Sequence, residues 1–354
     1  MREVQPTQAC EQKFAPHRRH GVIDMHMYAS RAEHFSCHQS RGACANDGDV
    51  FVRNRCHAQS VGGESVGKGE NVSENLTMTG WHAHLSLDYT LARKRTVAKF
   101  EHQGPLRVLQ SLYPEGDAVC HNVLVHPPSG LVGGDTLDIT LNLGEGTHAL
   151  LTTPGATRFY RSEQGLATQQ VKAYVGEGAR LEWLPLETIA YNGCHGLNHA
   201  VFNLAPTAEL MAWDITALGL PNANLPFEHG QLQQHLEVAG VWLERGLLDA
   251  QDARLMDGPL GLAKHRCMAT LVLACGADLP RERRDLALAL ARELTELAPE
   301  VVLAGVTSPH PRIVVLRTLS PLVEPAQHLL RSVWSAWRKG LWAMGDKPPR
   351  VWAM

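Results

Sequence analysis

What the sequence lacks narrows its chemistry first. No CxxC pair occurs among its eight cysteines, so the spaced thiols of a zinc framework are missing, and eight in 354 residues is far below the density of a small secreted disulfide scaffold. Free, mostly buried thiols are expected. Neither GxxxxGK[ST] nor GxGxxG occurs, which removes the usual phosphate-cradling loops, and HExxH, the helical zinc-hydrolase signature, is absent too. From Met78 onward there is no GxSxG elbow to present a nucleophilic serine. The sequence shows no apolar h-region near its start and no uninterrupted apolar run of about 18 residues, so it reads as cytoplasmic, with no membrane association. A formal net charge of -3, without a long basic run, gives no electrostatic case for nucleic acid.

Leucine is almost missing from residues 1–77, where Leu76 is the only one. That segment instead mixes His17, His20, His26, His34, Cys37, His38, Cys44, Cys56 and His57 with Ser, Gly and Arg. Imidazole and thiolate bind nickel, copper and zinc, so a metal sink is one reading. Without a sustained period of 2 or 3.6 the segment cannot build a core. It is read as disordered or as a spurious N-terminal extension ahead of a natural start at Met78. The rest, 78–354, is read as one domain with a β-rich body over 78–265 and an α/β portion over 266–354.

From Trp81 the hydrophobic pattern alternates in short runs: WHAHLSLDYTLA, RTVAKFEHQ, LRVLQSLY, NVLVHPP, LDITLNL, HALLTTPG, TQQVKAYV, ARLEWLPL, AVFNLAP and QLQQHLEVAGVWLERG. Many closely spaced strands punctuated by Gly, Pro, Asn and Asp predict a β-rich α+β fold whose body is a sandwich, barrel or solenoid. No motif recurs at fixed period, and no long helix is expected before about residue 280. The last ninety residues differ. MATLVLACG reads as a strand. RRDLALALARELTEL reads as a helix with Leu286, Leu290, Leu294 and Leu297 on one face, and VVLAGV with RIVVLRTL as a hairpin around SPHP. A second helix follows with Ala326, Leu329, Leu330, Val333, Trp334, Trp337 and Leu341 at helical spacing, and RVW as a closing edge strand. This is a β-α-β-β-α-β order, as in a split βαβ unit.

Few residue groups carry chemistry. The stretch HPPSGLVGGD, His126 to Asp135, has the glycines of a phosphate loop but no lysine, and Asp135 would place a negative charge where phosphate should sit. His82 and His84 share a strand face, and CHGLNH supplies Cys194, His195 and His199. Either could serve a metal-dependent hydrolase, though exposed or hydrogen-bonded histidine is the commoner outcome.

Read together, GPLRVLQSLYPEG, CHNVLVHPPSGLVGGDTLDI, HALLTTPGATRFYRS, LEWLP, AWD and the terminal PRVW resemble the UreD (UreH) family of urease accessory proteins, from about Gly80 to the C-terminus. The resemblance implies an elongated β-rich body and a non-enzymatic role. It implies binding to urease apoprotein and, with UreF and the GTPase UreG, help in nickel delivery, with no permanently bound cofactor and nickel as transient cargo. A protein that passes nickel onward is expected to offer carboxylates, which exchange the ion more readily than thiolates or clustered imidazoles. Carboxylates amid apolar strands are the candidates, because burying one without a partner is costly. These are Asp135, Asp214 in ELMAWDITALG, Glu182 in ARLEWLPL and Glu244 in GVWLERGLL. The plain alternative is an arginine partner for each, with Arg158, Arg161 and Arg180 nearest to hand. In PGATRFYRS, Arg158, Tyr160 and Arg161 are candidate partner-docking residues, since Tyr and Arg anchor interfaces; the alternative places the aromatics in the core.

Overall fold

The computed structural model describes residues 80–298, 300–301 and 303–353, so the readings made for 1–77 lie outside the described residues. In chain order the strands are β1 (His82–Ala92), β2 (Arg95–Gln103), β3 (Arg107–Val108), β4 (Val119–Val125), β5 (Gly130–Leu131), β6 (Thr136–Leu143), β7 (His148–Thr152), β8 (Thr157–Phe159), β9 (Ala167–Val175) and β10 (Arg180–Trp183). They continue as β11 (Thr188–Ala190), β12 (Cys194–Leu204), β13 (Glu209–Leu220), β14 (Leu225–Pro226), β15 (Gly230–Val238), β16 (Trp242–Asp249), β17 (Cys267–Cys275), β18 (Leu303–His310) and β19 (Ile313–Ser320). The helices are α1 (Ala253–Asp257), α2 (Arg281–Glu296) and α3 (Val323–Trp342).

Through the body, β6, β9, β12 and β15 go to one sheet and β7, β10 and β13, which alternate with them in the chain, to the other. A seven-stranded sheet runs β16-β15-β12-β9-β6-β1-β2, and a second sheet runs β18-β19-β17-β13-β10-β7-β4-β3. Each strand therefore meets the strand one coil later in the chain, and the pairing is parallel: His148 lies beside Val119 and Arg180, and Arg180 lies beside Glu209. In the facing sheet Thr136 pairs with Thr168, and Leu197 with Thr168 and Gln233. The body is solenoid-like, closed at its ends by antiparallel pairs, β1 with β2 and β15 with β16.

Alternation along each strand then sorts residues between two cores. Leu85, Leu87, Ile139, Leu141, Val171 and Leu210 pack between the sheets. Met211, Trp213, Ile215, Leu271 and Leu316 face the other way, onto α2 and α3. The molecule has three layers: sheet, sheet, helices. Both faces of the central sheet are covered, which is why β13 and β17 read as almost continuous apolar runs.

The C-terminal portion departs from expectation in two respects. β17, α2, β18, β19 and α3 follow in the expected order, but Arg350–Ala353 is a 3-10 turn, not a closing strand, and β13 takes the edge of β17 that such a strand would need. Trp352 is instead committed sideways, 5.2 Å from the ring of Trp213 and 5.4 Å from that of Trp334. On α2 the residues fully buried are Ala287 and Ala291, while Leu286 and Leu297 are exposed. Small side chains let α3 approach closely, and Trp337 Nε1 donates to the Ala287 carbonyl at 2.9 Å. The buried face of α3 is as expected, with Ala326, Leu329, Leu330, Val333, Trp334 and Trp337 inside.

Trp337 is completely buried. Trp337→Ala should lower the unfolding free energy by about 3–5 kcal/mol, the range for deleting a core aromatic, measured as a shift of the urea midpoint.

Candidate functional site

The HPPSGLVGGD loop folds against PGATRFYRS. β5 pairs with β8, Gly130 beside Arg158 and Leu131 beside Phe159. The Tyr160 ring covers Gly130, where a Cβ would lie 2.1 Å from Tyr160 Cε2, and it packs on Tyr191 at 5.0 Å. Gly134, at φ +83°, meets the backbone of Gly80, where a Cβ would come within 2.0 Å of the Gly134 carbonyl carbon. The glycines thus allow backbone to touch backbone and the Tyr160 ring to lie on Gly130. Asp135 closes it: Oδ1 accepts from the Trp81 N–H at 2.9 Å and Oδ2 from the Val132 N–H at 3.0 Å. Both carboxylate oxygens are engaged in the turn. Beside it, Arg158 Nη1 donates to Ser129 Oγ at 3.2 Å, whereas Arg161 is exposed and pairs with Glu163.

Glu182 lies on the helix-facing side of β10 with no exposure. Its partner is none of Arg158, Arg161 or Arg180. Arg338 of α3 sits 3.4 Å from Glu182 Oε2, which also accepts from Trp334 Nε1 at 2.5 Å, while His148 Nε2 lies 2.7 Å from Oε1. Arg338 reaches both oxygens of Glu115, at 3.0 and 2.9 Å, and His121 Nε2 is 2.8 Å from the same carboxylate. The contacts from Arg338 and His121 outweigh burial and hold the Glu115 carboxyl below its usual range. Arg180 pairs instead with Glu209.

Asp214 and Glu244 come together between the sheets. Asp214 has the parity expected on β13, facing the same way as Leu210, Ala212 and Leu218 in the inter-sheet core. Glu244 reaches in from β16, the edge strand of the opposite sheet. With Asn198, Gln234 and Thr270 they line a cavity of about 20 Å³, room for one water-sized occupant. Asp214 Oδ2 accepts from Asn198 Nδ2 at 2.7 Å, and Oδ1 from Thr216 Oγ1 at 2.9 Å and Gln234 Nε2 at 2.8 Å. Every one of these donors is neutral. Glu244 Oε1 accepts from Thr270 Oγ1 at 3.0 Å, and Oε2 lies 2.5 Å from Arg317 Nε. The amides extend outward: Gln169 Nε2 donates to Asn198 Oδ1 at 3.1 Å and Thr157 Oγ1 to Gln169 Oε1 at 3.3 Å. A polar seam therefore crosses an otherwise apolar core.

Burial pushes the Asp214 carboxyl up to about 6, and the neighbouring Glu244 charge adds to the rise, while hydrogen bonds from Thr216 and Asn198 pull the other way. Of the four candidate acids Asp214 is the one that meets neither an arginine, a histidine nor a pair of backbone N–H groups.

The histidine and cysteine candidates do not converge. Cys194 is buried, and burial pushes its thiol up to about 12. His195 and His199 have the opposite strand parity and lie on the outer face, where His199 stacks on His235 at 4.2 Å. His82 is exposed and His84 lies 3.7 Å from Asp138. Among the described residues no three His, Cys, Asp or Glu side chains form a metal-holding group. The four cysteines found free, Cys120, Cys194, Cys267 and Cys275, are all buried. No helix among the described residues is long and apolar enough to cross a membrane. Gln234, Thr270 and Arg317 were not marked by the sequence, because polar residues within strands carry no signal until the opposite sheet is in place.

The model of the family described as UreD urease accessory protein matches residues 82–353. The urease accessory protein UreD of Variovorax paradoxus (strain S110) is 58% identical over 273 residues, covering 77% of this chain and 99% of that protein. That of Albidiferax ferrireducens is 59% identical over 274 residues with the same coverage. A more distant relative of the same name, from Methylibium petroleiphilum, is 47% identical over 292 residues, again covering 77% and 99%.

An elevated Asp214 pKa has a sign in stability. The folded state holds the proton more tightly than the unfolded chain, so the contribution is fully present below pH 3.8 and is lost as pH rises through about 6. Relative to Asp214→Asn, wild type should lose about 2–3 kcal/mol across that window and nothing further above it, read from urea titrations at pH 4.5, 5.5, 6.5 and 7.5. A difference independent of pH would show that Asp214 ionises as freely as in water.

Proposed function

This chain belongs to the UreD family of urease accessory proteins, and from that premise we propose that it is a non-catalytic nickel-insertion scaffold. In this reading it binds urease apoprotein and, with UreF and UreG, promotes delivery of nickel to the urease active site in the cytoplasm. Nickel is cargo, held transiently and passed on. The observation that carries the reading is the Asp214 carboxylate, hydrogen-bonded only to neutral donors and facing Glu244 across a cavity with room for one water-sized occupant.

The chemistry of that cavity suits transfer better than storage. Its donors are carboxylate, amide and hydroxyl oxygens, which bind a borderline divalent ion less tightly than thiolate or imidazole and release it more readily. Two carboxylates supply charge to draw a dication out of water; the neutral amides orient Asp214 without cancelling its charge, whereas Glu244 is held by the Thr270 hydroxyl and faces Arg317 at its outer oxygen. The Asp135 oxygens are engaged in a turn and those of Glu182 in a buried ion network, which favours Asp214 and Glu244 as the pair on the path. Docking is assigned to the face bearing Arg158, Tyr160 and Arg161. Tyr160 is held rigid by Gly130 and Tyr191, and the exposed Arg161 beside it supplies charge.

Co-expression of the urease operon with Asp214→Ala in this chain should leave the complex with UreF and urease intact while urease nickel content and activity fall about tenfold or more, the scale of disturbance to a metal-contacting shell. Full activation by a variant that still assembles would leave a clamp without a conduit. In pull-downs Arg158→Ala together with Arg161→Ala should weaken capture of UreF or urease at unchanged thermal stability; undiminished capture of both would move the docking face elsewhere.

A further inference from the structure

Glu244 is already engaged by a cation. Arg317 Nε lies 2.5 Å from Glu244 Oε2, and its guanidinium stands 5.7 Å from the centre of the Trp242 ring. The arginine occupies a defined place in the sheet. Asp214 pairs with Thr270 across β13 and β17, and Thr270 pairs with Arg317 across β17 and β19, so the three form one row on the face turned toward β16. The row ends at solvent: Thr270 in its middle is 3% exposed, whereas the Arg317 side chain is 55% exposed, against 22% for that of Glu244 in the facing sheet. The guanidinium thus stands at the solvent-exposed end of a row whose other members, Asp214 and Thr270, line the cavity.

Resting on the proposed conduit, we infer that Arg317 is a resident counter-ion which a divalent cation must displace from Glu244. With the arginine in place, one of the two carboxylates is neutralised at its outer oxygen and a positive charge faces anything entering from that side. An exposed ion pair of this kind is weak, since water solvates the released guanidinium. Displacement is therefore inexpensive, and the pair weakens cation binding without blocking it. Arg317 is a positioning residue: it sets how tightly the cavity holds its occupant and so how readily the ion leaves. It also gives discrimination by charge, because a monovalent ion gains no more at Glu244 than the guanidinium it replaces, whereas a dication gains about twice as much.

The test is equilibrium dialysis of the full chain against nickel(II) chloride, taking as site-specific only the binding lost in the double variant Asp214→Asn, Glu244→Gln, which subtracts the histidines. Arg317→Gln should bind nickel(II) about tenfold more tightly at the site, the effect of removing one unit charge a few ångströms from a dication in near-aqueous surroundings. Arg317→Lys, which keeps the charge, should stay within about twofold of wild type; a merely structural arginine would not separate these variants by charge. If the double variant binds as much nickel as wild type, the conduit reading fails and the counter-ion role with it. If the double variant loses binding but Arg317→Gln binds no more tightly than wild type, the conduit stands and the counter-ion role is overturned.

Discussion

Burying a carboxylate is costly unless its surroundings replace the water it has lost, and Glu182 is where this molecule faces that requirement most strictly. It has no exposure, and its two oxygens are matched by His148, Trp334 and Arg338. Arg338, equally buried, is shared with Glu115. The five ionisable groups of this network come from the β4 region, β7, β10 and α3, and Arg338 ties the helix to the sheet through Nη2 on Glu115 and its ion pair with Glu182. Trp334, Trp337 and Trp342 then fall into place against the outer face of the central sheet, and α2 packs over them. Breaking such a network from one side leaves an uncompensated charge, which costs about 3–5 kcal/mol.

The same sheet presents Asp214 on its opposite face, and the comparison separates a structural acid from a candidate functional one. Glu182 is sealed and matched by positive charge. Asp214 is half-buried, matched by amides and a hydroxyl, and set beside a second carboxylate. Asp135 is a third type, an acid whose oxygens complete a turn. Three carboxylates that look alike in sequence differ in what neutralises them.

The strands and their inward and outward sides were legible, because the period of two is local and strong. The parity of Asp214 followed from Ala212, Thr216 and Leu218 without any tertiary information. Pairing was legible in the β18–β19 hairpin around SPHP but not in the body. There the parallel neighbours are a full coil apart, and the coils differ in length, with Val119 beside His148 but Asn198 beside Gln234, so no fixed repeat appears. Partners of the acids were hidden for the same reason: Arg317 and Arg338 lie far down the chain from Glu244 and Glu182, and nearby arginines were misleading. The face of α2 was misjudged because leucine spacing marked a stripe, whereas the close approach of α3 selected the alanines.

The walls of the Asp214 cavity belong to two different sheets: Asn198, Gln234 and Glu244 to one, Asp214 and Thr270 to the other. Hydrogen bonds hold spacing rigid within each sheet, whereas around the cavity side-chain packing and a few bonds to Asp214 and Glu244 set the spacing between the sheets. The cavity is thus a gauge of shear between the layers. Any displacement of one sheet along the other therefore reshapes the cavity while leaving the hydrogen bonds inside each sheet intact.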